Sequence, residues 1–192
     1  IKEAIKLVPK DENSTAMIER DGVVETYNNE LNALPVGVTE IKEANVFFPY
    51  TTLFRSTYYV YGLKVNITEE EIADYVRVTG DGYYEIEFND RGKASTGAII
   101  KVYDANDDLV EQFYIVVFGD LDGDTYITGN DTGWLISETR NPVWSTSPDK
   151  INYLIKAADI DLDTYISGND SGKLNGATRG IVTIDQKTGL AS

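Results

Sequence analysis

Two stretches of this chain open with three aspartates at alternate positions and close on a fourth. Asp120 to Asp131 reads Asp-Leu-Asp-Gly-Asp-Thr-Tyr-Ile-Thr-Gly-Asn-Asp, and 39 residues later Asp159 to Asp170 reads Asp-Ile-Asp-Leu-Asp-Thr-Tyr-Ile-Ser-Gly-Asn-Asp. Carboxylates at alternate positions of a tight loop converge, and converging like charges call for a cation. Calcium takes about six to eight oxygen ligands at roughly 2.3–2.6 Å, and a loop of about 12 residues supplies them. Positions one, three and five give carboxylates, seven a backbone carbonyl, nine a ligand often through water, and twelve a closing acid. Those roles fall on Asp120, Asp122, Asp124, the Tyr126 carbonyl, Thr128 and Asp131, and again on Asp159, Asp161, Asp163, the Tyr165 carbonyl, Ser167 and Asp170. Two complete sets at one offset point to two calcium ions rather than to solvated acids. Magnesium fits less well, because it demands a tighter octahedral site and keeps its waters.

The likeness of the copies continues past the loops, through Gly133 and Gly172, Leu135 and Leu174, and the pairs Thr139-Arg140 and Thr178-Arg179. This is a duplicated unit of loop plus helix, with helices expected over Asp131–Arg140 and Asp170–Arg179. Ile127 and Ile166, at position eight, can pair across the loops. Position six, where an EF-hand usually has glycine for a sharp turn, is Thr125 in one copy and Thr164 in the other, a strained choice if φ is positive. Between the copies, Ser147 can cap a helix that Pro148 opens and whose apolar face is Ile151, Leu154, Ile155 and Ala158. Trp134 is expected in the core or packed between the modules, and Trp144 either in the core or on a contact surface.

Before Phe118 the texture is that of strands, short runs of β-branched and aromatic residues between turn signals. Expected strands are Ile5 to Val8, Val23 to Tyr27, Ala44 to Phe48, Tyr58 to Leu63, Tyr83 to Phe88, Ala98 to Tyr103 and Glu111 to Val117, with turns at Asp81-Gly82, Asp90-Arg91-Gly92 and Asn106-Asp107. One helix is expected from Thr68 to Tyr75, because Thr68 and Glu71 have capping-box spacing. The fold class is therefore mixed: a mostly-β, immunoglobulin-like sandwich over residues 1–117 followed by a small all-α unit over 118–192.

Composition narrows the function. The 192 residues contain no Cys and no His, which removes disulfides, imidazole or thiolate zinc sites, Ser-His-Asp triads and Cys-His dyads. A net charge of -15 argues against a nucleic-acid backbone as partner. No run of about 18 apolar residues suggests a membrane span. The opening Ile1, Lys2, Glu3 has neither an initiator Met nor a signal core, so a soluble fragment of a longer chain is expected. No acid pair stands at a spacing that singles out glycosidase carboxylates, so no catalysis is expected. Tyr58, Tyr59, Tyr61, Tyr83 and Tyr84 are either packing residues or a carbohydrate platform, and alternation along a strand sends half of them inward.

A loop closed by Asp rather than Glu, followed by one short helix and occurring twice after a Val-Val-Phe-Gly-Asp strand exit, resembles a type I dockerin over Gly119 to about Gly180. The segment before it, with Tyr-Val-Tyr-Gly-Leu at Tyr59 to Leu63, Thr-Gly-Ala at Thr96 to Ala98 and the Phe118-Gly119-Asp120 junction, is similar to the X-module-like β domains that precede dockerins in anaerobic, polysaccharide-degrading bacteria. The resemblance implies calcium-dependent binding to a cohesin on a scaffoldin or cell-surface protein, outside the cell, in a cellulosome or amylosome setting. Recognition positions carried over from the family are Gly129, Asn130, Ile136, Ser137 and Asn141, with Gly168, Asn169, Asn175, Gly176 and Gly180. Arg140 and Arg179 either pair with an acidic cohesin surface or complement the dipole at their helix ends. The copies agree at Gly-Asn and differ at Ile136-Ser137 against Asn175-Gly176.

Overall fold

A computed structural model describes residues 4–27, 58–146 and 152–192. The described strands are β1 (Leu7–Pro9), β2 (Met17–Arg20), β3 (Val23–Glu25), β4 (Tyr58–Tyr61), β5 (Val76–Val78), β6 (Tyr83–Glu87), β7 (Ile99–Tyr103) and β8 (Leu109–Ile115). The helices given within the described residues are α1 (Glu69–Ile72), α2 (Gly129–Arg140), α3 (Asn152–Ala158) and α4 (Gly168–Thr178). A β-rich part thus leads into a helical part. None of the described helices is long and apolar enough to cross a membrane.

Six strands form one sheet in the order β3-β2-β4-β8-β7-β6, antiparallel except for the central β4–β8 pair, where Tyr59 sits beside Tyr114 and Val60 beside Ile115. β1 and β5 form a separate antiparallel ladder, Leu7 opposite Val78 and Pro9 opposite Val76. The β7–β8 hairpin turns on Asp104, whose Oδ1 accepts the Asn106 and Asp108 N–H groups at 2.8 and 3.1 Å. Thr68 and Glu71 make the expected capping box on α1.

Strand alternation buries both faces at the sheet's centre. Tyr58 and Val60 of β4, with Phe113 and Ile115 of β8, face a core that Leu7, Ile72 and Val76 close from the side of β1, α1 and β5. Tyr59 and Tyr61, followed by Val116 and Phe118, face the other way, into a core shared with Leu121, Leu135, Ala157, Ile160, Leu174 and Ile184 of the helical part. Tyr114 stacks on Tyr153 of α3, ring centroids 4.9 Å apart. Tyr59 and Tyr61 of β4 therefore hold the two parts together, and Tyr83, the most exposed of Tyr58, Tyr59, Tyr61, Tyr83 and Tyr84, stacks its ring on Tyr103.

The passage between the parts is tight. Gly119 has φ +89°, the left-handed region that favours glycine, and a Cβ there would press on the Ile184 side chain, 2.8 Å from its Cδ1. Its N–H donates to the Ala157 carbonyl at 2.9 Å. The Gln186 side chain brackets the preceding residue, its Oε1 accepting the Phe118 N–H at 2.8 Å and its Nε2 donating to the Phe118 carbonyl at 2.9 Å. Across the same junction Lys156 pairs with Glu19.

Several expectations are corrected. The strand placed at Ile5 to Val8 runs Leu7–Pro9, because Val8 and Pro9 pair with Arg77 and Val76. β2 and β5 were not anticipated: Met-Ile-Glu-Arg and Val-Arg-Val are too short and too charged to stand out as strands. Trp134 is 46% exposed on α2 rather than buried, since Leu135 beside it takes the inward position. Trp144 packs half-buried against the second core. The expected strand Ala44 to Phe48, and Ser147, Pro148 and Ile151 of the linker helix, lie outside the described residues.

Candidate metal-binding loops

Both acidic loops fold the same way, and the closing acid explains why. Asp131 Oδ1 accepts the Leu121 and Asp122 N–H groups at 2.7 and 3.1 Å, and its Oδ2 accepts the Thr128 N–H at 2.7 Å. Thr128 Oγ1 in turn accepts the Asn130 N–H at 3.1 Å, completing a capping box on α2. The second copy repeats it: Asp170 accepts from Ile160, Asp161 and Ser167 at 3.0, 3.3 and 2.9 Å, and Ser167 Oγ accepts from Asn169 at 3.1 Å on α4. Positions nine and twelve therefore close the loop and start the helix with the same atoms. The fully buried Leu135 and Leu174 point from α2 and α4 into the shared core, and the two helices pack on each other.

Asp120, Asp122 and Asp124 bring carboxylate oxygens within 4.8 Å of one another in the first loop, and Asp159, Asp161 and Asp170 do so in the second. Asp163 lies outside the second cluster, its Oδ1 accepting the Tyr165 N–H at 2.8 Å, and Asp131 lies outside the first, at the base of its loop. Backbone N–H groups support the outer sides of the carboxylates: Asp124 N donates to Asp120 and Asp122 at 3.2 Å each, Thr125 N to Asp120 at 3.2 Å, and Thr164 N to Asp159 at 3.1 Å. Thr125 and Thr164 do take positive φ, +86° and +73°.

The donor set fits a hard cation. It is all oxygen, and Asp159 Oδ1 is buried with no hydrogen-bond partner, which a bound ion would supply. Burial, and then the nearby Asp131 charge, pushes Asp120 up to about 7 against the hydrogen bond from Ser95. Burial also raises Asp122, Asp159 and Asp170, with neighbouring aspartates adding to the effect. These groups resist being anions together unless positive charge joins them. Either cluster could hold a metal ion.

The residues carried over as recognition positions mostly lie at the surface. Gly129, Asn130, Ser137, Arg140 and Asn141 are exposed and Ile136 half-buried; Gly168, Asn169, Arg179 and Gly180 are exposed and Asn175 half-buried. Gly176 differs, because a Cβ there would lie 2.8 Å from Val182 Cγ2, so it serves packing of the chain that follows α4. Gly180, at φ +69°, ends that helix in the left-handed region.

Sequence reasoning missed a set of residues from the β part that grip the first loop. Asn89 Nδ2 donates to the Gly123 carbonyl at 2.8 Å, Ser95 Oγ to Asp120 Oδ2 at 2.5 Å, and Arg91 to Asp122 Oδ2 at 3.1 Å. The Asn66 N–H donates to the Thr125 carbonyl at 2.8 Å. Only the Asp90-Arg91-Gly92 turn signal lay near any of them. It also missed Glu138, a buried carboxylate that gathers the chain after α2 by accepting the Val143 and Ser145 N–H groups at 2.9 Å each and Ser145 Oγ at 2.6 Å. No protein-family model, no curated protein and no solved structure matches this chain.

Proposed function

We propose that the chain is a calcium-dependent docking module: each acidic loop binds one calcium ion, and the helical unit so ordered binds a cohesin-type protein on a scaffoldin or cell-surface protein, outside the cell. One observation carries this reading. In both copies the acid at position twelve, Asp131 or Asp170, accepts N–H groups from the start of its loop and is also the partner of Thr128 or Ser167 in the capping box of the following helix, so an ion that fixes the loop fixes the helix. Oxygen-only ligands in a 12-residue loop favour calcium, and among hard cations its tolerance of six to eight ligands suits a backbone carbonyl from Tyr126 or Tyr165 beside the carboxylates.

The partner side rests on surface chemistry. Trp134, Tyr126 and Tyr165 are large and exposed, and Ser137, Arg140, Asn130 and Asn169 are exposed polar residues of the same loop-helix units, the residue types that interfaces use as anchors and rim. On this reading the protein catalyses nothing; its output is assembly, and the β part acts as a sandwich-like support whose β1–β5 ladder covers one face of the main sheet. The likeness of the two loops to dockerin loops implies a setting in polysaccharide degradation.

The test is capture of the chain on a panel of immobilised cohesins, with calcium and with chelator. Calcium-dependent capture that is lost in the double variant Asp120→Ala with Asp159→Ala is the expected result. Two bound ions without capture by any cohesin would leave calcium as a structural element and remove the docking function.

A further inference from the structure

The two loops share a sequence pattern but not an environment. Asp120 is fully buried and Asp122 and Thr125 nearly so, whereas their counterparts Asp159 and Asp161 are half-buried and Thr164 is exposed. The first loop is held from outside by Asn66, Asn89, Arg91 and Ser95. Among the described residues the side-chain hydrogen bonds of the second loop stay within residues 159–170. There Asp159 Oδ1 is left buried and unpartnered, while the equivalent Asp120 Oδ1 accepts the Asp124 N–H. Position four differs as well. It is Gly123 in the first loop, at φ +70°, where a Cβ would lie 2.5 Å from Asn89 Nδ2; it is Leu162 in the second, a side-chain residue forced to φ +62°.

Resting on the calcium reading above, we propose that the first loop is a composite site whose outer shell comes from the β part, so that the ions bind in order: the first loop fills first and tightly, and the second fills only at higher free calcium. The first loop meets its ion already shaped, because hydrogen bonds outside the loop have fixed Gly123, Asp120 and Thr125, and binding has less conformational freedom left to remove. Outer-shell partners of this kind typically change metal affinity about 10–100-fold when removed. Arg91 works the other way, placing positive charge next to a ligand carboxylate, but its guanidinium side chain is 51% exposed and screened by water. Among the described residues no side chain from outside grips the second loop, which is held from outside by the Ala191 N–H donating to the Ile160 carbonyl at 2.8 Å, and it holds two non-glycine residues in the left-handed region, Leu162 and Thr164. The first ion is then a permanent joint between the β and helical parts, and the second is the one through which free calcium governs α4.

Asn89 makes the test clean, because removing it changes no charge. The full chain, stripped with chelator, is titrated with calcium chloride in a calorimeter. Two steps about tenfold or more apart are expected, with Asp161→Ala abolishing the weaker one and Asn89→Ala weakening the tighter one about tenfold while the weaker stays in place. Ser95→Ala, also neutral, gives the same shift if Asn89→Ala disturbs its own turn, and circular dichroism reports whether each variant is folded. Hydrogen exchange in chelator is expected to protect the Thr125 amide and not that of Thr164. Two steps of equal affinity, loss of the tighter step in Asp161→Ala, or equal protection of both amides overturns the order of binding while leaving calcium in place. No binding at either loop overturns the calcium reading, and this inference with it.

Discussion

Lys156 of α3 reaches across the junction between the two parts to lie 2.8 Å from the Glu19 carboxylate of β2, with its ammonium 4.7 Å from the centre of the Tyr61 ring. Glu19 is 9% exposed and faces the same way as Tyr59 and Tyr61, so Lys156 supplies the positive charge for an acid buried under the helical part, to which Tyr61 also hydrogen-bonds. Removing one partner of a buried pair leaves the other charged and dry, a larger loss than the pair's own worth. Lys156→Ala is expected to destabilise the protein by about 2–4 kcal/mol in urea unfolding. A Lys156→Ala protein as stable as the parent would mean that water reaches Glu19.

Proton and metal compete for the same carboxylates, and the sign can be worked out. Asp120 in the folded, metal-free protein titrates at about 7, above its unfolded value of 3.8. Between those values the folded state holds the proton that the unfolded state has released. The metal-free protein therefore has this contribution in full below the unfolded value and loses it as pH rises through about 7; Asp122, Asp159 and Asp170 shift the same way. Thermal melts in chelator are expected to rise as pH is lowered from 8 toward 5. Calcium binding is expected to weaken over the same range as protons occupy its ligands. A chelated protein that melts higher at pH 8 than at pH 6 would contradict this.

Leu162 offers a gain. Glycine reaches φ +62° without the Cβ clash that a leucine suffers, and the side chain it would delete is 48% exposed. Leu162→Gly is expected to stabilise the chain by roughly 1 kcal/mol and to tighten the weaker calcium step. Urea unfolding and the calcium titration check it together, and a loss of stability would show that Leu162 contributes packing worth more than the strain.

Glu138 is expected to be needed as an anion. Burial opposes its charge, yet hydrogen bonds from Ser145, Val143 and Trp144 overcome that and hold its carboxyl below the usual range. Its contribution is thus present above the unfolded value and lost as pH falls through the folded one. Glu138→Gln puts an amide N–H among groups that are themselves donors, and about 1–3 kcal/mol is expected to go. The emission of Trp144, read in a Trp134→Phe background, should shift to the red as residues 143–145 loosen; unchanged emission and stability would remove Glu138 from this role.

What was legible in the sequence was what is local. Asp120, Asp122 and Asp124 lie at alternate positions of one loop, and Thr68 and Glu71 lie three residues apart, so spacing alone shows which atoms can meet. The β7–β8 hairpin was visible for the same reason, through its Asp104 to Asp108 turn. The support of the first loop was not, because Asn89 meets Gly123 across 34 residues and nothing in either residue's neighbourhood signals the other. Trp134 misled for a different reason. Its size argues for burial, but on a 12-residue helix anchored by Leu135 it falls on the outer face, and periodicity outranks bulk. β2 and β5 went unseen because they owe their strand state to β4 and β1, which hold them, rather than to their own short and charged sequences.

Gln186 gives the helical unit a further property. Its amide meets the Phe118 peptide as a neighbouring strand would, and Gly189 lies against the Phe118 ring, so the place where the chain enters the unit and the place where it leaves are neighbours. In contour the unit is a closed circuit rather than an open arm. A passenger polypeptide fused after Ser192 would instead emerge beside the second loop and α4, where the Ala191 N–H donates to the Ile160 carbonyl at 2.8 Å and Lys173 Nζ donates to the Ala191 carbonyl at 2.6 Å.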